Sequence, residues 1–259
     1  HYSVDAGAQM LRGKPSQTVA VAFPYHPAQR QHFRDPFFLT LIGSIGDALV
    51  DSGYSMLIVA VEADSFERVT YAYETRQAIG TILLGQEYNH SRINELAVRG
   101  TPFVVWGARL TDQLYCTVGS ANLQGGTQAT AHLLDTGARR IAFFGDSTLP
   151  EIADRYRGYL EAHRARGLAP DPQLHCLVPF DAAAVRAEAG RLLRGQVPFD
   201  GVFAGSDLMA LAVIAELQAA GRRVPEDVQV VGFDDIYPAG HSNPPLTTDS
   251  SGNYTVNLN

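Results

Sequence analysis

Short apolar runs rich in valine, isoleucine, phenylalanine and alanine alternate along the chain with longer stretches whose apolar residues recur at helical spacing. The runs at 18–23, 56–61, 79–84, 103–106, 140–144, 174–178, 201–204 and 228–232 are almost unbroken in hydrophobicity, which predicts strands covered on both faces, as parallel strands are. Between them the helical stretches have legible ends. Asp35 and Pro36 supply an N-cap and a proline at the first helical position, and the pattern behind them runs to Gly53, where glycine stops it. Further helices are predicted over 122–135, ending at Gly137, and over 207–220, ending at Gly221 ahead of Val224 and Pro225. Such a strand-helix alternation predicts an α/β fold with parallel sheets.

The rhythm also predicts two sheets. Four strand-helix units precede the 122–135 helix and the alternation restarts at Arg140, so two sheets of ordinary size are expected rather than one very wide one. The boundary is placed near Gly119. Residues 16–118 form one doubly wound, Rossmann-like subdomain and 119–248 the other, with 249–259 a candidate return to the first and 1–15 a separate linker. Two such halves leave a ligand cleft at the carboxyl ends of their strands.

Composition narrows the function. Hydrophobic residues make up 46% of the 259 and charged residues 18%, which excludes a disordered or collagen-like chain. No run approaches the roughly 18 apolar residues of a membrane span, and no basic-then-apolar leader opens the sequence. Cys116 and Cys176 stand far apart and match no metal-ligand spacing, so a reduced, cytoplasmic protein without metal or disulfide is expected. The net charge of −7 argues that this chain does not itself grip nucleic acid, because phosphate binding needs a basic face. Signatures of enzymes are missing: no G-x-S-x-G elbow, no P-loop, no H-E-x-x-H, and no G-x-G-x-x-G after the first strand. The eight histidines show no ligand spacing. No catalytic activity and no cofactor are expected.

What remains is polar and aromatic chemistry at strand ends. Asp234 and Asp235 follow the 228–232 run, and an acid there can accept paired hydrogen bonds from vicinal hydroxyls. With no helix behind it, Asp234 reads as a ligand-binding group. Ser206 and Asp207 follow 201–204 in the same way, but a helix starts there and the N-cap role is favoured for Asp207. Arg155 lies on a helical stretch, where position alone makes it a solvated arginine. Phe37 and Phe38 open a helix, and their rings serve either as a stacking platform or as core. The 4–15 segment reads as a short helix ending at Gly13, with Met10 and Leu11 too few to anchor it alone.

Taken together, several of these words resemble the lactose-repressor-type (LacI/GalR) bacterial transcription regulators. They are Ala8-Gln9-Met10-Leu11-Arg12-Gly13-Lys14; Asp35-Pro36-Phe37-Phe38; the GARRIAFFG stretch from Gly137 to Gly145; Arg155 with Gly158; the run from Asp200 through Ser206-Asp207 to Leu211; the run from Val224-Pro225 to Asp234-Asp235; and Pro245-Leu246-Thr247-Thr248. The resemblance runs from Ala6 to Thr248, and it implies a periplasmic-binding-protein-like core of two subdomains that closes on a small effector, dimerises and allosterically controls operator binding. It further implies an amino-terminal helix-turn-helix, absent from these residues, and a hinge helix in which Met10 and Leu11 meet DNA, the leucine as a minor-groove wedge. By position it carries effector contacts onto Phe37, Phe38, Arg155, Phe180, Ser206, Asp207 and Asp234, reversing the bland reading of Arg155. The expected function is the sensing and dimerisation core of such a regulator, with a sugar as effector. A periplasmic sugar-binding protein of a transporter is the alternative, disfavoured by the hinge-like segment. After Thr248 the sequence departs from the family pattern.

Overall fold

The computed structural model describes residues 16–24, 35–61, 68–86, 90–195, 197–249 and 254–257. The hinge-like segment with Met10 and Leu11 lies outside them. The chain divides into two compact units, one holding Phe38–Gly119 with the first strand and the segment from Thr255, the other holding Asp35–Phe37 and Ser120–Tyr254. The expected first subdomain, 16–118, thus gives up Asp35 to Phe37 to the second unit.

The first unit is built from β1 (Thr18–Pro24), β2 (Ser55–Val61), β3 (Thr81–Leu84), β4 (Phe103–Trp106) and β5 (Thr117–Ser120), with helices α1 (Pro36–Asp51), α2 (Arg68–Glu74) and α3 (His90–Val98). The strand β11 (Tyr254–Asn257) completes its sheet, in the order β11-β5-β4-β3-β1-β2. The pairings from β2 through β5 are parallel. Ala20, Val21, Ala22, Leu83 and Val105 are at most 1% exposed, which is why these runs carry apolar residues on both faces.

The second unit has β6 (Ile141–Phe144), β7 (His175–Cys176), β8 (Gly201–Ala204), β9 (Gln229–Phe233) and β10 (Thr247–Asp249), ordered β10-β9-β8-β6-β7 and parallel throughout. Its helices are α4 (Asn122–Asp135), α5 (Pro150–Ala165), α6 (Ala182–Arg194) and α7 (Asp207–Ala219). Every residue of β6 and β8 is buried. One expected strand shrinks: Leu174 closes a single 3-10 turn, Pro172–Leu174, capped by Asp171, and only His175 and Cys176 pair with β6. Pro172 starts that turn at a fixed backbone angle and without an N–H to pair.

No helix among the described residues is long and apolar enough to cross a membrane.

Candidate functional site

In a parallel sheet the loops at the carboxyl ends of the strands gather on one edge, where side chains from distant parts of the sequence meet. On that edge of the second unit, β8 delivers Ser206 and Asp207, β9 delivers Asp234, and β10 ends on Asp249. Arg155 comes from α5. It reaches the edge because α4 and α5 touch backbone to backbone: a Cβ on Gly126 would collide with the Arg155 carbonyl, and one on Gly158 with the Leu123 carbonyl. Only glycine permits so close a crossing, and the crossing sets Arg155 beside the first residue of α4, Asn122.

The guanidinium is held on four sides. Its Nε donates to Asn122 Oδ1 at 2.8 Å, Nη1 donates to the Gly205 carbonyl, and Nη1 lies 3.5 Å from Asp234 Oδ1. The group also covers the Phe233 ring, 3.6 Å from its centroid, a cation-π contact in a nearly dry setting. Both side chains of the Arg155–Asp234 pair are only 8% exposed. Asp234 has φ +118° and Asp235 φ +51°, a left-handed conformation that costs an L-residue free energy. In that conformation the Asp234 carboxylate lies beside Arg155.

Burial dominates the electrostatics. It lowers the Arg155 pKa, opposed first by Asp234 and then by Glu151, Asp207 and Asp249. It raises Asp234 well above the ordinary carboxylate range, opposed by Arg155 and reinforced by the like charges of Asp207 and Asp35. Asp207 is pushed up to about 6, again by burial, with the Thr248 hydroxyl and the Ile236 N–H pulling the other way. One guanidinium thus faces several carboxylates, and protons are held in the cluster above the usual range.

Asp234 and Arg155 come together as a buried pair, and the solvated reading of Arg155 is corrected: it is 7% exposed. The N-cap is Ser206, not Asp207. Ser206 Oγ accepts the Met209 N–H at 3.3 Å, while Asp207 is the first residue of α7 and its Oδ2 accepts the Ile236 N–H at 2.9 Å. Both are 0% exposed, so in this conformation they support the edge from beneath. Phe37 packs against the core of the second unit, its N–H donating to Asp35 Oδ1 at 2.9 Å. Phe38 packs in the first unit beside Val21, Phe23 and Leu84. Phe180 is half-buried against both hydrophobic clusters of the second unit.

Sequence reasoning missed Asn122, Thr248 and Asp249. A polar residue opening a helix after Gly119 was the available signal for Asn122; nothing local marked the other two. It also missed a polar cluster in the first unit, where Gln86 Nε2 donates to the Ala108 carbonyl at 2.8 Å and to Tyr115 Oη at 3.0 Å, and His90 Nδ1 lies 3.0 Å from the same Oη. Among the described residues no three His, Cys, Asp or Glu side chains gather in a way that could hold a metal ion.

Residues 130–251 match the model of the periplasmic binding protein-like domain family. Along its length the chain is similar to the HTH-type transcriptional regulator CelR of Thermobifida fusca, 33% identical over 251 residues that span 95% of this chain and 73% of that protein. It is also similar to the HTH-type transcriptional repressor CytR of Escherichia coli (strain K12), 30% identical over 226 residues, 86% of this chain and 66% of that one. Among solved structures a transcriptional regulator CelR–cellobiose complex has a TM-score of 0.81 at 32% identity, covering 93% of this chain and 76% of that chain.

Proposed function

The chain belongs to the LacI family of helix-turn-helix transcriptional regulators, and from that premise we propose that it senses a small carbohydrate at the carboxyl edge of its second unit and passes that binding to operator DNA. The observation that carries the reading is the buried Arg155–Asp234 pair. A carboxylate fixed by a guanidinium accepts hydrogen bonds from neighbouring hydroxyls, and its charge makes them stronger than neutral ones. Phe37 and Phe180, half-buried at the same unit, suit the apolar face of a sugar ring. Cellobiose in the complex of the CelR regulator makes a β-linked disaccharide the first ligand to try. In this reading the protein catalyses no reaction, acts as a homodimer in the cytoplasm, and leaves DNA to a helix-turn-helix of the kind its relatives are named for, since the core carries a net charge of −7. The effector controls DNA binding only through its differential affinity for two conformations.

Thermal unfolding with a panel of cellobiose, monosaccharides and purine nucleosides tests this. A sugar at a hundred times its Kd is expected to stabilise the folded protein by about 2.7 kcal/mol. Asp234→Asn is expected to weaken that sugar by roughly ten- to a hundredfold in calorimetric titration, the worth of a charge-assisted hydrogen bond. A Tm raised by a nucleoside and by no sugar, or wild-type sugar affinity in Asp234→Asn, would overturn the assignment.

A further inference from the structure

Asn122 is 4% exposed and spends both ends of its amide. Oδ1 accepts from Arg155 Nε at 2.8 Å, and Nδ2 donates to the Ser120 carbonyl at 3.2 Å. Ser120 closes β5, which hydrogen-bonds to β4 in the first unit's sheet, and it is also the first residue of the second unit. The amide therefore joins the guanidinium of the candidate site to β5, one of the segments by which the chain crosses from one unit into the other. We propose that Asn122 is a positioning residue that couples Arg155 to this crossover, so that effector contact at Arg155 and Asp234 changes the crossover backbone. The proposal rests on the reading of the site as an effector site.

Three features separate this from ordinary packing. An asparagine one position earlier would cap α4, a role worth about 1 kcal/mol, yet the N-cap is Ala121, which makes no side-chain hydrogen bond. The polar side chain sits where a helix gains no cap from it. Secondly, Arg155 is too buried for water to replace a lost partner, so breaking the Nε bond leaves a desolvated donor and the two groups move together. Thirdly, α4 and α5 meet so closely at Gly126 and Gly158 that an added Cβ at either would strike the backbone of the other helix. The Asn122 amide, with the Ser120 carbonyl it holds, links the guanidinium to the end of β5. An amide is also the group that offers an acceptor and a donor on one two-atom fork, which the two contacts require.

Asn122→Asp keeps the acceptor for Arg155 and removes the donor to Ser120; Asn122→Ala removes both. Backbone amide exchange over 117–122 is measured with and without cellobiose, or whichever panel sugar raises the Tm, alongside calorimetric affinity and the Tm of each variant. In the wild type the sugar is expected to change exchange across 117–122. Asn122→Asp should bind within about threefold of the wild type yet lose that change, and Asn122→Ala should bind roughly tenfold more weakly. A merely structural role predicts a lowered Tm with affinity and exchange response moving together. Unchanged exchange at 117–122 in the wild type overturns the proposal by itself, even where a variant fails to fold. So does a wild-type response in Asn122→Asp, or wild-type affinity in Asn122→Ala. If no sugar binds, the effector reading fails and this coupling with it.

Discussion

Asp207 shows how much one buried carboxyl can set. Its Oδ1 has no hydrogen-bond partner, its side chain is wholly buried, and its pKa is pushed up to about 6 from 3.8. Between those two values the folded state holds a proton that the unfolded chain releases, so this contribution to stability is present at low pH and is lost as pH rises through about 6. Asp234 shifts in the same direction, first by burial and in part through the like charge of Asp207. Asp207→Asn is therefore expected to gain stability relative to wild type at pH 7.5 compared with pH 4.5, by about 2 kcal/mol of the roughly 3 that the whole shift converts to, since pH 4.5 already lies above 3.8; denaturant melts at the two pH values check it, and an equal difference at both would refute it. The same scale shows what was legible in the sequence. Asp234 could be read because an acid followed a strand with no helix to cap. Arg155 could not be read from its position, since on a lone helix it looks solvated, and it is the fold that encloses it with Asn122, Gly205, Asp234 and Phe233. Its substitution by alanine is for that reason no clean test of binding: it leaves Asn122, Gly205 and Asp234 without their partner, a loss of roughly 3–5 kcal/mol for a broken buried pair.

The elements that position the site depend on small residues more than on apolar ones. Along α4 and α5, Gly126 and Gly158 let two helices meet at their backbones, and that contact fixes the distance between Asn122 and Arg155. Gly158→Ala is expected to push the helices apart, at a cost of about 1–3 kcal/mol for an added methyl in a packed interior, or roughly 2–12 °C in Tm at this chain length. The effector affinity should fall with it, because the guanidinium moves with its helix. Gly43→Ala on α1, where an added Cβ meets nothing within 4 Å, serves as the control; equal melting temperatures for both variants would refute the argument. Hydrophobic runs made β1, β4, β6 and β8 legible to within about a residue at their ends. The strands that went unseen, β5, β10 and β11, read Thr-Val-Gly-Ser, Thr-Thr-Asp and Tyr-Thr-Val-Asn, short and polar enough to pass for loops. Two of them, β10 and β11, stand at sheet edges, where one face and one hydrogen-bonding side need no apolar cover. Yet β5 carries the crossover and β10 supplies Asp249 and Thr248, so the segments with the weakest hydrophobic signal include those nearest the site.

For the molecule as a whole, the unexplained surface is that of the first unit. Helix α1, Pro-Phe-Phe-Leu-Thr-Leu-Ile-Gly-Ser-Ile-Gly-Asp-Ala-Leu-Val-Asp, has charges only at Asp47 and Asp51, yet none of its residues is buried in the single chain. Leu39 is 51% exposed and Val50 71%; on the neighbouring elements Ile58, Tyr71 and Tyr73 are exposed too. Strand β2, which carries Ile58, is the edge of its sheet. A helix this apolar on a surface is ordinarily covered. A second copy of the chain covers it economically, since a two-fold axis brings the same face from each partner, and a symmetric pair of regulators presents two reading heads to a palindromic site. We expect a homodimer through α1 and the β2 edge. Sedimentation velocity on the wild type at micromolar concentration should show a dimer, and Leu39→Glu combined with Val50→Glu should show a monomer whose far-ultraviolet circular dichroism is unchanged. The carbohydrate affinity of that monomer should stay within about threefold of the dimer's, because Arg155, Asp234 and Asn122 all lie in the second unit, whereas the substituted Leu39 and Val50 are exposed residues of the first. A wild-type monomer, or a doubly substituted protein that still dimerises, would remove α1 from the interface and leave its apolar face to be covered by another part of the chain.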